Sequence, residues 1–112
     1  MTVQEFMGKY AVSLFAKVTP DGAETVRGEQ ADSMMPLYMA LVGRQDHAVL
    51  SDYLSGQTLL PRMWGSGEIH CIMFPDAEGN VICMFLKYTG DAWELAEHSR
   101  LLMGRWLEEF EW

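Results

Sequence analysis

The stretch that decides the fold is Glu68-Ile69-His70-Cys71-Ile72-Met73-Phe74, Pro75-Asp76-Ala77-Glu78-Gly79-Asn80, Val81-Ile82-Cys83-Met84-Phe85-Leu86-Lys87-Tyr88. Two apolar runs flank a turn rich in Pro, Asp, Gly and Asn, which is the pattern of a β-hairpin. Apolar residues fall on both faces of both arms. Strands of that kind lie in the middle of a sheet, with helices over one face and something else over the other. A further layer of the same chain or a second subunit would fill that role.

The hairpin leads into a helix from Asp91 to about Trp112. Asp91 is its natural N-cap, and Glu94 stands three residues on, as a capping box requires. At 100° per residue, Ala92, Leu95, Ala96, Ser99, Leu102, Met103, Trp106, Leu107 and Phe110 form one apolar stripe. Glu94, His98, Arg105, Glu108 and Glu109 lie opposite, with Glu94–His98 and Arg105–Glu109 spaced as i,i+4 pairs. Leu101 and Trp112 point out among these charges, and Trp93 sits at the edge of the stripe.

Upstream, residues 1–9 suit a short helix with Val3, Phe6 and Met7 on one side. Tyr10 to Val18 reads as a strand in which Val12, Leu14, Ala16 and Val18 share a face. Thr19-Pro20-Asp21-Gly22 is a turn, since Pro presets φ and Gly accepts positive φ. A returning strand through Thr25-Val26-Arg27 ends at Gly28. A helix over about 29–42 has Pro36 as its weak point: it either begins there, capped by Asp32 or Ser33, or is kinked. Residues 45–54 fit a helix, with Val49, Leu50, Tyr53 and Leu54 at helical spacing, and also fit a strand. Thr58 to Trp64 reads as a strand or edge element, Pro61 disfavouring a central position. Gly65-Ser66-Gly67 reads as a loop.

The expected architecture is one α+β domain over residues 1–112. It has a single-layer, mainly antiparallel sheet of about five strands packed on two or three helices, closed by the C-terminal amphipathic helix. Strand–turn–strand–helix occurs twice, at about 10–43 and 68–112, as a common supersecondary unit. An apolar fraction of 49% places the chain far from the disordered class.

The formal net charge is −8. Nucleic acid and anionic membranes both require a basic footprint, so neither is expected as a partner, whereas a basic protein is compatible. The N-terminal residues lack a basic start followed by an apolar run, and no stretch approaches the length of a membrane span. With two cysteines and no disulfide framework, a reduced cytoplasmic setting is expected.

The cysteines are the first candidates for chemistry. A three-residue loop would place Cys71 opposite Cys83; a two-residue loop would place it opposite Met84. A redox pair or half a metal site is one reading, and two small buried hydrophobes the other. Zinc wants three or four ligands, and His70 points away from Cys71. A Cys–His dyad would need His47, His70 or His98 beside an exposed thiol, but both cysteines sit in the most apolar strands. The glycines compose no phosphate loop. Glu108 and Glu109 read as a solvated helix end rather than an acid/base pair. No catalytic residue, metal or cofactor is expected.

What remains is apolar surplus. Nine methionines include Met34 and Met35, which are adjacent and cannot both face inward. The expected partner-binding residues are Leu101, Trp112, Trp93, Met34, Met35 and Trp64. They point to a non-catalytic protein-interaction or regulatory module working as a homodimer. One alternative is an acidic inhibitor of a basic partner, of the toxin-immunity or phage anti-defence kind. A small secretion-chaperone-like protein falls in the same class. A third reading is a small-ligand sensor or enzyme with a pocket between sheet and helix, near Cys71, Cys83 and Trp93.

The order of elements, with Asp76-Ala77-Glu78-Gly79-Asn80-Val81 followed by Asp91-Ala92-Trp93-Glu94-Leu95-Ala96, resembles Roadblock/dynein-light-chain domains of the profilin-like group. In that family the same wording belongs to the first hairpin and middle helix; here it falls at the C-terminal end, and 45–54 has no counterpart. The resemblance implies a homodimer joined through sheet or helix faces, acting as scaffold or regulator of a small GTPase or motor. It carries over no catalytic residue.

Overall fold

The computed structural model describes residues 1–110; Glu111 and Trp112 lie outside the described residues. The chain forms α1 (Val3–Tyr10), β1 (Leu14–Thr19), β2 (Gly22–Arg27), α2 (Ala31–Tyr38), a π-helical turn (Met39–Gly43), α3 (His47–Ser55), β3 (Arg62–Ser66), β4 (Ile69–Pro75), β5 (Val81–Lys87) and α4 (Ala92–Phe110). The five strands make one antiparallel sheet in the order β2-β1-β5-β4-β3. This is the expected α+β class.

The two-sided strands are covered on both faces by helices of the same chain. Leu14, Ala16, Val18, Cys71, Met73, Val81, Cys83 and Phe85 face one way and pack with Met34 of α2, Val42 of the π turn, and Leu50 and Leu54 of α3. Phe15, Ile72, Phe74, Ile82, Met84 and Leu86 face the other way and pack with Phe6 and Met7 of α1 and Leu102 and Trp106 of α4. Val12 joins this second group, since it precedes β1 and escapes its alternation. The second cover is therefore a further layer, built from the chain's two terminal helices.

Local chemistry accounts for the element boundaries. The capping-box wording Thr2-x-x-Glu5 opens α1: Thr2 Oγ1 accepts from the Glu5 amide and Glu5 Oε1 from the Thr2 amide, both at 3.1 Å. Asp46 Oδ1 accepts from the Val49 amide at 3.0 Å, which makes 47–55 a helix rather than a strand. Asp91 Oδ1 accepts from the Glu94 amide at 2.8 Å at the start of α4. Pro36 lies inside α2, which begins at Ala31, and the π turn follows directly. Without an N–H, Pro36 leaves the Asp32 carbonyl without its usual helical donor, and the helix does not keep an ideal pitch to its end.

Two turns are tighter or wider than the sequence suggests. Gly65 and Ser66 belong to β3, and only Gly67-Glu68 form the turn, Gly67 at φ 64°. Gly65 cannot carry a side chain because the His70 ring lies over it. Conversely, Pro75 pairs with Val81, so the β4–β5 turn spans 76–80. Asp76 holds it open: Oδ1 accepts from the Glu78 amide at 2.9 Å and the Asn80 amide at 2.8 Å.

Candidate partner-binding surface

The wide turn sets the register of the cysteines. Cys71 lies opposite Phe85, and Cys83 opposite Met73, so neither of the two expected pairings occurs. The cysteines share a face as diagonal neighbours and are fully buried, both as free thiols. Burial pushes the Cys71 thiol well above its ordinary value, and its hydrogen bond with Cys83 pushes it the same way. A buried protonated thiol is a poor nucleophile.

Each histidine is engaged in structure. His47 Nε2 lies 2.8 Å from the Gly79 carbonyl oxygen, tying α3 to the β4–β5 turn. His70 covers Gly65. His98 stacks on Tyr88 with centroids 5.5 Å apart, in place of the expected pairing with Glu94. Desolvation there lowers its pKa. Arg105 reaches Glu108 at 3.0 Å, one residue short of the expected Glu109, because i and i+3 also share a helix face. Among the described residues, no group of three or more His, Cys, Asp or Glu is placed to hold a metal ion.

The residues expected to meet a partner divide. Met34 does not belong to a surface: it is fully buried, on the side of α2 turned to the sheet. Met35, its neighbour, is half-buried with its sulfur 3.6 Å from Arg27 Nη1. Trp64 is half-buried on β3, its ring 5.6 Å from that of Tyr53. Trp93 is 70% exposed and Leu101 45% exposed, both turned away from the Leu95, Leu102 and Trp106 side of α4. Ala92, expected in the stripe, is also exposed. Trp112 lies outside the described residues. Trp93 points away from the sheet face that holds Cys71 and Cys83, so these three do not line a common pocket.

Three surface residues escape a reading by periodicity. Val49, Tyr53 and Leu59 are exposed, Leu59 at 76%. Val49, Leu50, Tyr53 and Leu54 look like one stripe, but only Leu50 and Leu54 point at the sheet. Four apolar positions in a nine-residue helix were the available signal, because one helix this short buries about two per face.

No family model matches this chain, and no curated protein does. The surface must therefore speak through its own chemistry. Tyr53 meets Trp64 of β3, an edge strand with one row of free backbone groups, and exposed Leu59 precedes that strand in the chain. Arg62, two positions from Trp64 and on its face, has a buried Nε with no hydrogen-bond partner. Strand β3, Arg-Met-Trp-Gly-Ser, carries no carboxylate in a chain that has 16. Apolar, aromatic and arginine side chains with little acid around them are the composition of binding hot spots.

Proposed function

We propose that the chain is a non-catalytic protein-interaction module that works as a homodimer and scaffolds or regulates a protein partner. The observation that carries this is the Tyr53–Trp64 pair on edge strand β3, with exposed Leu59 in the segment that leads into it. Trp64 packs against the rim of the core on the α2 and α3 side, whereas Tyr53 and Leu59 are exposed beyond it. A second copy fits the edge in charge as well. In an antiparallel pairing of two β3 strands centred on Trp64, Arg62 of one copy faces Ser66 of the other, and no carboxylates meet. The exposed Trp93 and Leu101 on α4 remain available for the partner.

Light scattering on the eluting peak of a sizing column tests the dimer. The expected mass is twice 12.7 kDa, and Leu59→Glu with Trp64→Ala brings it to the monomer while circular dichroism is unchanged. A monodisperse wild-type monomer at high concentration overturns the reading.

The net charge of −8 supports a second reading, an acidic inhibitor that seats its carboxylates on a basic protein. Association with such a partner would weaken steeply with salt; salt-insensitive binding removes this alternative.

A further inference from the structure

We infer that the cleft between the end of α1 and the start of α2 binds a small anion, a carboxylate or phosphate ester. The cleft has a volume of about 510 Å³, within the range of small-molecule sites. It lies away from the β3 edge and rests on none of the residues in the interaction reading.

Two of the chain's eight cationic side chains converge here. Arg27 comes from the last position of β2 and Lys87 from the last position of β5. Glu29 is the one carboxylate in the described wall, so the lining is net positive in a molecule of charge −8. Outside the wall, Arg27 is paired with Asp32, and Lys87 Nζ lies 3.3 Å from Glu68 Oε2. All four of these side chains are more than half exposed. Surface pairs of this kind are weak, and a ligand anion can take the carboxylate's place.

The backbone around the cleft is specialised. Ala11 at φ 57° and Gln30 at φ 61° are the non-glycine residues of positive φ among the described residues, and both line it. Such conformations cost energy and gather at binding sites. Gln30 leads into α2 without a side-chain cap, and Asp32 is the acidic residue of the first turn. Gly28 is tightly enclosed, since a Cβ there would sit 3.0 Å from the Val12 carbonyl oxygen. Met7, Val12 and Ser13 also line the cleft, Met7 and Val12 as nearly buried members of the core beneath it.

The test is a titration of the full chain, followed by amide nuclear magnetic resonance, with hexanoate, hexyl phosphate and hexylammonium as probes. The expected result is saturable shifts at residues 11–13, 27–31 and 87 with either anion and none with the cation. Lys87→Ala, an exposed position whose loss leaves the fold intact by circular dichroism, weakens binding about tenfold, and Lys87→Arg restores it. Glu29→Gln tightens binding. Equal response to hexylammonium, scattered non-saturating shifts, unchanged affinity in the folded Lys87→Ala variant, or flotation with anionic vesicles without any response to the soluble anions would each overturn the assignment.

Discussion

The His98 imidazole lies against the Tyr88 ring, with centroids 5.5 Å apart and planes inclined by 16°. Tyr88 follows the last residue of β5, and His98 stands two turns into α4. The stack therefore fastens the helix to the end of the strand that precedes it.

Burial lowers the His98 pKa below its ordinary 6.5. The unfolded chain then takes up a proton in a range where the folded chain does not, so stability falls as pH drops below about 6.5. Thermal melts at pH 7.5 and 5.5 should show a lower midpoint at the acid value. His98→Gln should remove the part of that difference that this buried imidazole contributes. An unchanged slope in the variant would place the pH dependence elsewhere.

Leu102 is fully buried where α4 meets the Ile72, Met84 and Leu86 face. Leu102→Ala should cost about 2–5 kcal/mol, the lost transfer of the side chain plus the cavity left behind. Urea unfolding with an unchanged m-value would measure it. A loss under 1 kcal/mol would mean that α4 is not held through this position.

Both thiols are fully buried, and burial favours the protonated form of Cys71. Ellman's reagent should therefore react with neither in native protein and with both in guanidinium. Rapid modification of the folded protein would contradict the central placement of β4 and β5.

Gly104 lies inside α4, with nothing within 4 Å of where a Cβ would be. Gly104→Ala should stabilise the protein by roughly 0.5–1 kcal/mol, by removing the backbone freedom that glycine loses on folding. Gly28→Ala should do the reverse, because its Cβ meets backbone oxygens. A rise in melting midpoint for the first and a fall for the second is the paired signature.

Much of this fold can be read from the chain, for identifiable reasons. The 68–88 hairpin and the helix after Asp91 carry alternation, turn residues and a cap that agree with one another. The strand expected over 58–64 is found at the sheet edge but runs Arg62–Ser66, with Pro61 just before it rather than within it. The closure of the second sheet face is not legible, because it depends on where α1 and α4 dock rather than on their own patterns. The cysteine register is hidden for a related reason: the Asp76 side chain, not the count of turn residues, sets the width of the turn. Among surface residues, Trp93 and Leu101 stand out from their helix phase, whereas Met34 and Met35 divide only once the sheet supplies a direction. The anion cleft draws on four separated stretches, and no local motif joins them.

The π turn at 39–43 changes how the chain can be edited. With an uninterrupted α pitch, Val42 would fall about 80° around the helix from Met34, off the sheet. The wider turn takes up one more residue and returns Val42 by about 100°, to the buried side where it is found. The segment thus holds a spare residue. Removing Ala40, which is exposed, would turn the π turn into ordinary helix and keep Val42 in phase. A one-residue deletion that would throw every later side chain out of register elsewhere becomes a silent length change at this point.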